Sequence, residues 1–411
     1  AGGPVYLRSL ERVGMADVIK TAGPYYKNVS AISDWIPLEH TEITQANSVV
    51  DSAVSEQLEP LIEWRSTRIK SRSHFWGLDD GDPNTQIETV RGESASRAYF
   101  HEMEGLHQVV TYVDGRAPTS NLRIDEDGDR VVEVAVYENR SRRIRHGDVL
   151  EDLRVGDVVL ASSVSRGFGS VKGEIVGIFA ANDLGDQFWL GSPNAILEPD
   201  PPMLFGGRDK PIILFTAEGA IAPGVGPSNA GLPMNYMRVL FTDPEKISLA
   251  RPGVFVAAVD QFEDIVKTEL PQVKTLSGMR ASTNRMETKM LFLRLPVLLL
   301  AAFVVAVVGY YLFLVSGLIA RKREHEIAMF RSRGLSIFQI FRLQIIEGVV
   351  VIVLPALVAP LFAALGIGLA GKLPVFKSLT GGSHLPVELS LSVWVWSGIT
   401  ALLVFLVLLS Q

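Results

Sequence analysis

The chain is 411 residues long, 47% hydrophobic and only 20% charged, with a mean hydropathy of +0.24 and a formal net charge of −6. Soluble globular proteins carry about 25% charged residues, so part of this chain is expected in lipid, which argues against a wholly cytoplasmic enzyme. The lack of Cys excludes disulfides, thiolate catalysis and Cys-ligated metal centres, and the acidic balance argues against nucleic acid or anionic lipid as the main partner.

The charge is unevenly placed. Residues 295–411 carry eight of the 39 Lys and Arg and four of the 45 Asp and Glu, leaving residues 1–294 with 31 basic and 41 acidic side chains, a net of −10. A soluble acidic region, long enough for two packed lobes, is therefore expected to precede a membrane region. Ala1 to Leu10 lacks the basic and apolar segments of a signal peptide. Export of residues 1–294 then calls for an earlier span just before Ala1.

Within that region, Ile43, Ala46, Val50, Val54, Leu58 and Leu61 recur at helical spacing and predict an amphipathic helix over Thr41–Trp64. His101 and His107 in His-Glu-Met-Glu-Gly-Leu-His lie six apart, not the four that place two zinc ligands on one helical face. Asp125, Asp127 and Asp129 resemble a calcium loop, but Arg130 and Val136 stand where the loop needs Gly and Glu, so a hairpin turn is the better reading. Apolar runs at Val132–Tyr137, Asp157–Ser162, Gly173–Ala180, Pro211–Thr216 and Tyr236–Thr242 predict strands. Phe188-Trp189-Leu190, between Gly185 and Gly191, reads as a hydrophobic anchor. Val259, Phe262, Val266 and Leu270 mark a second helix ending before Pro271. The organisation expected is an α+β extracytoplasmic domain over 1–282, with a β-rich lobe inserted near 130–235. No nucleotide-binding P-loop and no local Ser/His/Asp set occurs, so catalytic residues, metals and cofactors are all read as none.

From Thr283 the chain has no Gly or Pro until Pro296, which predicts a lever helix continuous with a span, over 283–320. Leu295–Ala320, Gly348–Gly371 and Leu389–Gln411 are uncharged runs of 26, 24 and 23 residues, and a bilayer core needs about 20 helical residues. Three transmembrane helices follow, at 295–320, 348–371 and 389–411. Pro355 and Pro360 inside the second are tolerable because neighbouring helices can satisfy the freed carbonyls. Six basic residues between the first two spans, against Lys372 and Lys377 in the 372–388 loop, place 321–347 in the cytoplasm.

That cytoplasmic segment is the most informative. In Arg321-Lys-Arg-Glu-His-Glu-Ile-Ala-Met-Phe-Arg-Ser-Arg-Gly334, Ile327 and Phe330 give a small apolar face on a charged helix. Gly334 suits the residue just past a helix end, with Arg331 and Arg333 in the last turn, and Ser336 suits the N-cap of the next helix. The alternative is a basic flank that only touches lipid headgroups.

Glu326-Ile327-Ala328, Arg331 with Gly334, Gln339, Arg342 and Glu347 at the head of the next span resemble the FtsX-like, or MacB-type, permease family of ABC transporters. The start of the chain, through Leu10 and Glu11, and the stretch ending Arg294-Leu-Pro296 also look like segments of its long tandem members. The resemblance implies a bacterial inner-membrane permease with a large extracytoplasmic domain. It implies an ABC-type ATP-binding subunit as partner, met by Glu324, Glu326, Ile327, Phe330, Arg331, Arg333 and Gly334. A second permease unit (homodimer, heterodimer or tandem half), membrane lipid and an extracytoplasmic protein complete the implied partners, and ATP hydrolysis falls to the separate subunit. The competing reading is an ATPase-independent receptor or scaffold whose external domain binds a partner.

Overall fold

The computed structural model describes residues 22–79, 97–126, 128–141, 144–146, 149–163, 169–200, 210–229, 232–249 and 252–278. Beyond these it describes 302–311, 313–315, 317–318, 336–370 and 391–409, with the single positions 19, 283, 295, 299, 329, 332 and 334. The chain divides into two compact units, one of residues 21–247 with 253–281, the other of 1–20, 248–252 and 282–411.

The first unit is α+β and is organised by one mixed sheet. Its strands are β1 (Val29–Pro37), β2 (Ile62–Lys70), β3 (His74–Leu78), β4 (Arg97–Met103), β5 (Val110–Gly115), β6 (Leu122–Ile124) and β7 (Arg130–Tyr137). A small hairpin, β8 (Ile144–His146) with β9 (Val149–Glu151), stands apart. The rest are β10 (Val158–Ser163), β11 (Ser170–Ala181), β12 (Ile212–Thr216), β13 (Pro233–Thr242) and β14 (Lys274–Ser277). Six of them close a circuit, β12-β7-β11-β10-β3-β4, because β12 pairs with β7 on one side and with β4 on the other. The β7–β11 and β4–β12 pairs are parallel. An open antiparallel layer, β2-β13-β1-β14, continues from this ring.

The junction is β4. Its first residues pair with β3 (His74 opposite Ala98) and its last with β2 (Arg68 opposite Met103). Between the two, Ser71 holds the bend: its N–H donates to the Phe100 carbonyl at 2.8 Å, and its Oγ accepts the Phe100 N–H at 3.0 Å. All five strands expected from the apolar runs are present, with small changes at their ends. The ring also takes in β3 and β4, which lie earlier in the chain than those five strands.

The first helix is shorter than its periodicity predicts. It runs from His40 to Gln57 and buries Ile43, Ala46, Val50, Ala53 and Val54. Pro60 lacks the amide a continuing helix needs and disfavours helical backbone at Glu59, so Glu59–Leu61 becomes a 3-10 turn and Trp64 lies in β2. The second helix, Pro252–Glu269, buries Phe255, Val259, Phe262 and Val266, the expected face.

In the second unit the longest helix is Ile337–Ala370, 34 residues that run through Pro355 and Pro360. Among the described residues it holds the one stretch long and apolar enough to cross a membrane, Ile352–Leu369; Ala302–Val315 and Val393–Phe405 are apolar but shorter. Of the three expected spans, the second is thus matched in length. Leu391–Leu409 is helical over 19 residues, and 371–390 and most of 283–301 lie outside the described residues. Pro360 has no amide to give the carbonyl of Ala356, and the Ser397 hydroxyl donates to that carbonyl at 2.8 Å from the neighbouring helix.

Candidate functional site

Of the residues expected to meet an ATPase, Glu324, Glu326, Ile327, Phe330, Arg331 and Arg333 lie outside the described residues. Gly334 is described, and its φ of +88° is the left-handed geometry that a helix terminus assigns to glycine. Before it, Met329 and Ser332 are helical, with the Ser332 hydroxyl donating to the Met329 carbonyl at 2.8 Å. After it, the Ser336 N–H donates to Gln339 Oε1 at 3.0 Å while Ser336 Oγ accepts the Gln339 N–H at 3.3 Å. This is a reciprocal capping box, which satisfies two amides that a helix start otherwise leaves free. Sequence reasoning found Ser336 but missed the capping part of Gln339, although Ser-x-x-Gln was its signal. Phe338, just inside the cap, is 75% exposed. The start of the Ile337–Ala370 helix is therefore fixed at its backbone, with Ser336, Phe338 and Gln339 exposed.

The other concentration of chemistry lies where β2, β4 and β13 adjoin. Alternation along a strand sends neighbouring residues to opposite faces, and here it sorts charge. On one face stand Thr67, Ile69, Glu102, Glu104, Tyr236 and Arg238, set by the pairs Ile69–Glu102, Tyr236–Ile69 and Arg238–Thr67. The opposite face carries Arg68, Lys70, Tyr99, His101 and Met103, with Lys70 directly across from His101.

The acidic face lines a cleft of about 310 Å³ under the His40–Gln57 helix. Arg238, 7% exposed, bonds Glu104 Oε2 at 2.8 Å and both Asp51 oxygens at 3.0 and 3.1 Å, and it also donates to Thr67 Oγ1. Tyr236 donates to Asn47 Oδ1 at 2.8 Å. Glu102 accepts the amides of Gly219 at 2.8 Å and Ile221 at 3.0 Å, so it pins the turn that follows β12; burial pushes its pKa up and those amides only partly offset this. Glu218 in that turn accepts the Gly105 amide at 2.8 Å. Most carboxylate oxygens of this cleft are thus engaged in holding the chain.

The basic face differs. Arg68 is 4% exposed, and its guanidinium lies 4.8 Å from the Phe188 ring centroid and donates to the Phe188 carbonyl. Lys70 Nζ stands 4.3 Å from the Tyr99 ring centroid. Burial lowers the Arg68 pKa to about 9 and the Lys70 pKa to about 8, and His101 is held well below its ordinary value by burial and by these two cations.

No protein-family model and no curated protein matches the chain.

The motifs that invite metal chemistry resolve into structural contacts. His101 sits inside β4 against Phe215, whereas His107 is in the short Leu106–Val109 helix with its Nδ1 3.7 Å from Glu218. Asp125 and Asp129 close the β6–β7 hairpin, where the Asp129 amide donates to Asp125 Oδ1 at 2.8 Å. The cation between these carboxylates is Lys172 Nζ, 2.7 Å from Asp125, 3.0 Å from Asp79 and 3.7 Å from Asp129. Burial alone would lower its pKa, but Asp125 and Asp79 outweigh burial and raise it. Phe188, Trp189 and Leu190 are all buried, as an anchor requires.

Proposed function

We propose that the chain is the permease subunit of an ABC transporter complex in a bacterial inner membrane, transmitting ATP-driven conformational change to its extracytoplasmic domain. The observation that carries this reading is the corner at Gly334. In sequence, an Arg-rich segment resembling the FtsX-like, MacB-type pattern ends at Gly334, whose backbone is left-handed; the Ser336–Gln339 capping box then opens a 34-residue helix that contains a membrane-length apolar stretch. A capped helix start keeps its first turn formed because two otherwise free amides are hydrogen-bonded, which suits a helix that must carry displacement from its N-terminal end. ATP is hydrolysed on a separate ATP-binding subunit, which meets residues 324–334, and a second permease unit completes the membrane part.

The test is co-purification from native membranes with a P-loop ATPase, followed by ATP turnover of the complex. Reversing Glu326→Arg together with Arg331→Glu is expected to lower turnover or complex yield, and to change its salt dependence, while membrane insertion is unaffected. Unchanged assembly and turnover at every salt concentration would remove these residues from the coupling role. The cleft beneath the His40–Gln57 helix favours a second reading, an ATPase-independent receptor. Absence of any ATPase from the purified assembly would decide for it.

A further inference from the structure

We infer that Arg68, Lys70 and His101 form a binding site for a small oxyanion, a phosphate or carboxylate group, on the face of the β2–β4 pair opposite the acidic cleft. Three observations carry this. First, the three side chains are brought together by register: Arg68 and Lys70 are two apart on β2, and Lys70 is paired across to His101 on β4. Directly opposed residues stand about 5 Å apart at Cβ and diagonal ones remain within reach of long side chains.

Second, the cluster is uncompensated. Every carboxylate at this junction of the sheet, Glu102, Glu104 and Asp51 included, is held on the other face by Arg238 or by backbone amides. Among the described residues no carboxylate pairs with Arg68 or Lys70; Arg68 has only the Phe188 carbonyl and the faces of Phe188 and Phe241, and Lys70 the face of Tyr99. A buried cation without a counter-charge is costly, and strongly perturbed buried groups cluster at functional sites.

Third, two buried polar atoms of the cluster lack any partner: the Arg68 Nε–H, a donor, and His101 Nδ1, which donates in the Nδ1–H tautomer of the neutral ring, on side chains 4% and 8% exposed. Buried polar atoms are almost always satisfied, so an acceptor completes both this inventory and the charge. Lys70 and Tyr99 are half-buried and form the side of the cluster that meets solvent. Guanidinium and ammonium groups recognise phosphate and carboxylate oxygens through charge-assisted hydrogen bonds. The anion therefore meets Lys70 Nζ at the rim and the Arg68 Nε–H beneath.

The inference is independent of whether an ATPase drives the chain. Its test is a titration of the full chain in detergent with sodium phosphate, and in parallel with sodium acetate, at constant ionic strength made up with chloride. Thermal unfolding is followed alongside direct calorimetry. Saturable binding of either oxyanion, with a rise in melting temperature beyond the chloride control, is expected. Lys70→Met and, separately, Lys70→Gln are expected to weaken it at least tenfold; Lys274→Met, at an exposed lysine elsewhere, leaves it unchanged. Neither oxyanion saturating, or the Lys70 variants binding as tightly as the parent, or Lys274→Met weakening binding as much as they do, would overturn the site.

Discussion

The hydrogen bond from Ser397 to Ala356 makes a quantitative prediction about the two apolar helices. Pro360 deprives the Ala356 carbonyl of its helical donor, and Ser397, 7% exposed, replaces it at 2.8 Å. Interhelical hydrogen bonds in membrane proteins average about 0.6 kcal/mol and reach about 1.7, while a buried carbonyl left unsatisfied costs about 1–3 kcal/mol. Ser397→Ala removes the bond and orphans the carbonyl together, so a loss of about 1 kcal/mol is expected. Pro360→Ala returns an amide to position 360, which can bond Ala356 along the helix. In that background Ser397→Ala is expected to cost only about 0.3 kcal/mol, the net worth of one redundant bond at the low end of the same range. The coupling energy across the double-mutant cycle is then about 0.7 kcal/mol. The assay is equilibrium unfolding of the full chain in mixed micelles, read by the fluorescence of Trp394 and Trp396 beside the bond. An equal cost of Ser397→Ala in both backgrounds would refute the carbonyl-rescue argument.

Further expected outcomes concern topology and pH. With no native Cys, Ser55→Cys on the exposed side of the first helix is expected to react with an impermeant maleimide on intact cells and Ser332→Cys to be spared; labelling of position 332 alone reverses the orientation. Lys70 has a folded pKa of about 8 against an ordinary 10.5. Between those values the unfolded chain holds the proton that the folded chain has shed, so stability rises with pH. Denaturant midpoints in chloride are expected to climb across that window in the parent and to stay flatter in Lys70→Met, by at most about 3 kcal/mol at 1.36 kcal/mol per unit. Glu133 is shifted in the same direction, but there the shift is stabilising and lies in the acid range: its hydrogen bond from Arg116 holds its pKa at about 2, below the ordinary 4.5. The stabilisation is complete above pH 4.5 and fades as pH falls toward 2, so the acid limb of the stability profile is expected to be shallower in Glu133→Gln.

What could be read in the sequence was local. The strands around Val134, Ile175 and Leu240 declare themselves because their side chains are apolar and β-branched or aliphatic over several residues in a row. The strands β1, β3 and β4 did not, because buried polar groups interrupt them: Ser30 and Ser33, His74, and His101 with Glu102. Each of these finds a reason to be inside only through residues far away in sequence. Ser33 donates to the Gln272 carbonyl at 2.8 Å, His74 lies 3.1 Å from Asn229, and Glu102 grips the turn at Gly219. Gly334 and Ser336 were legible because a helix end is specified within four residues. The charge sorting of Thr67–Lys70 against His101–Glu104 was not, because a one-residue change of register would exchange the two faces.

The same register argument explains why the ring and the open layer behave as one piece. Phe188 and Leu190 come from the turn that follows β11, yet they pack on the open layer: Trp64 stacks on Phe188 at 6.2 Å and on Phe241 at 3.6 Å, and Leu190 lies with Val239 and Phe241. Arg68 donates to the carbonyl of the same Phe188. Separating the two parts would expose these rings and leave Arg68 without its cation–π partner, a loss of several kcal/mol on the scale of large-to-small core substitutions. The β4 strand, shared by both, would also have to give up one set of ladder bonds. Motion delivered to the domain is therefore expected to displace it whole, and recognition belongs to groups already in place on its surface and at its β2–β4 junction, not to a gap that opens between its parts.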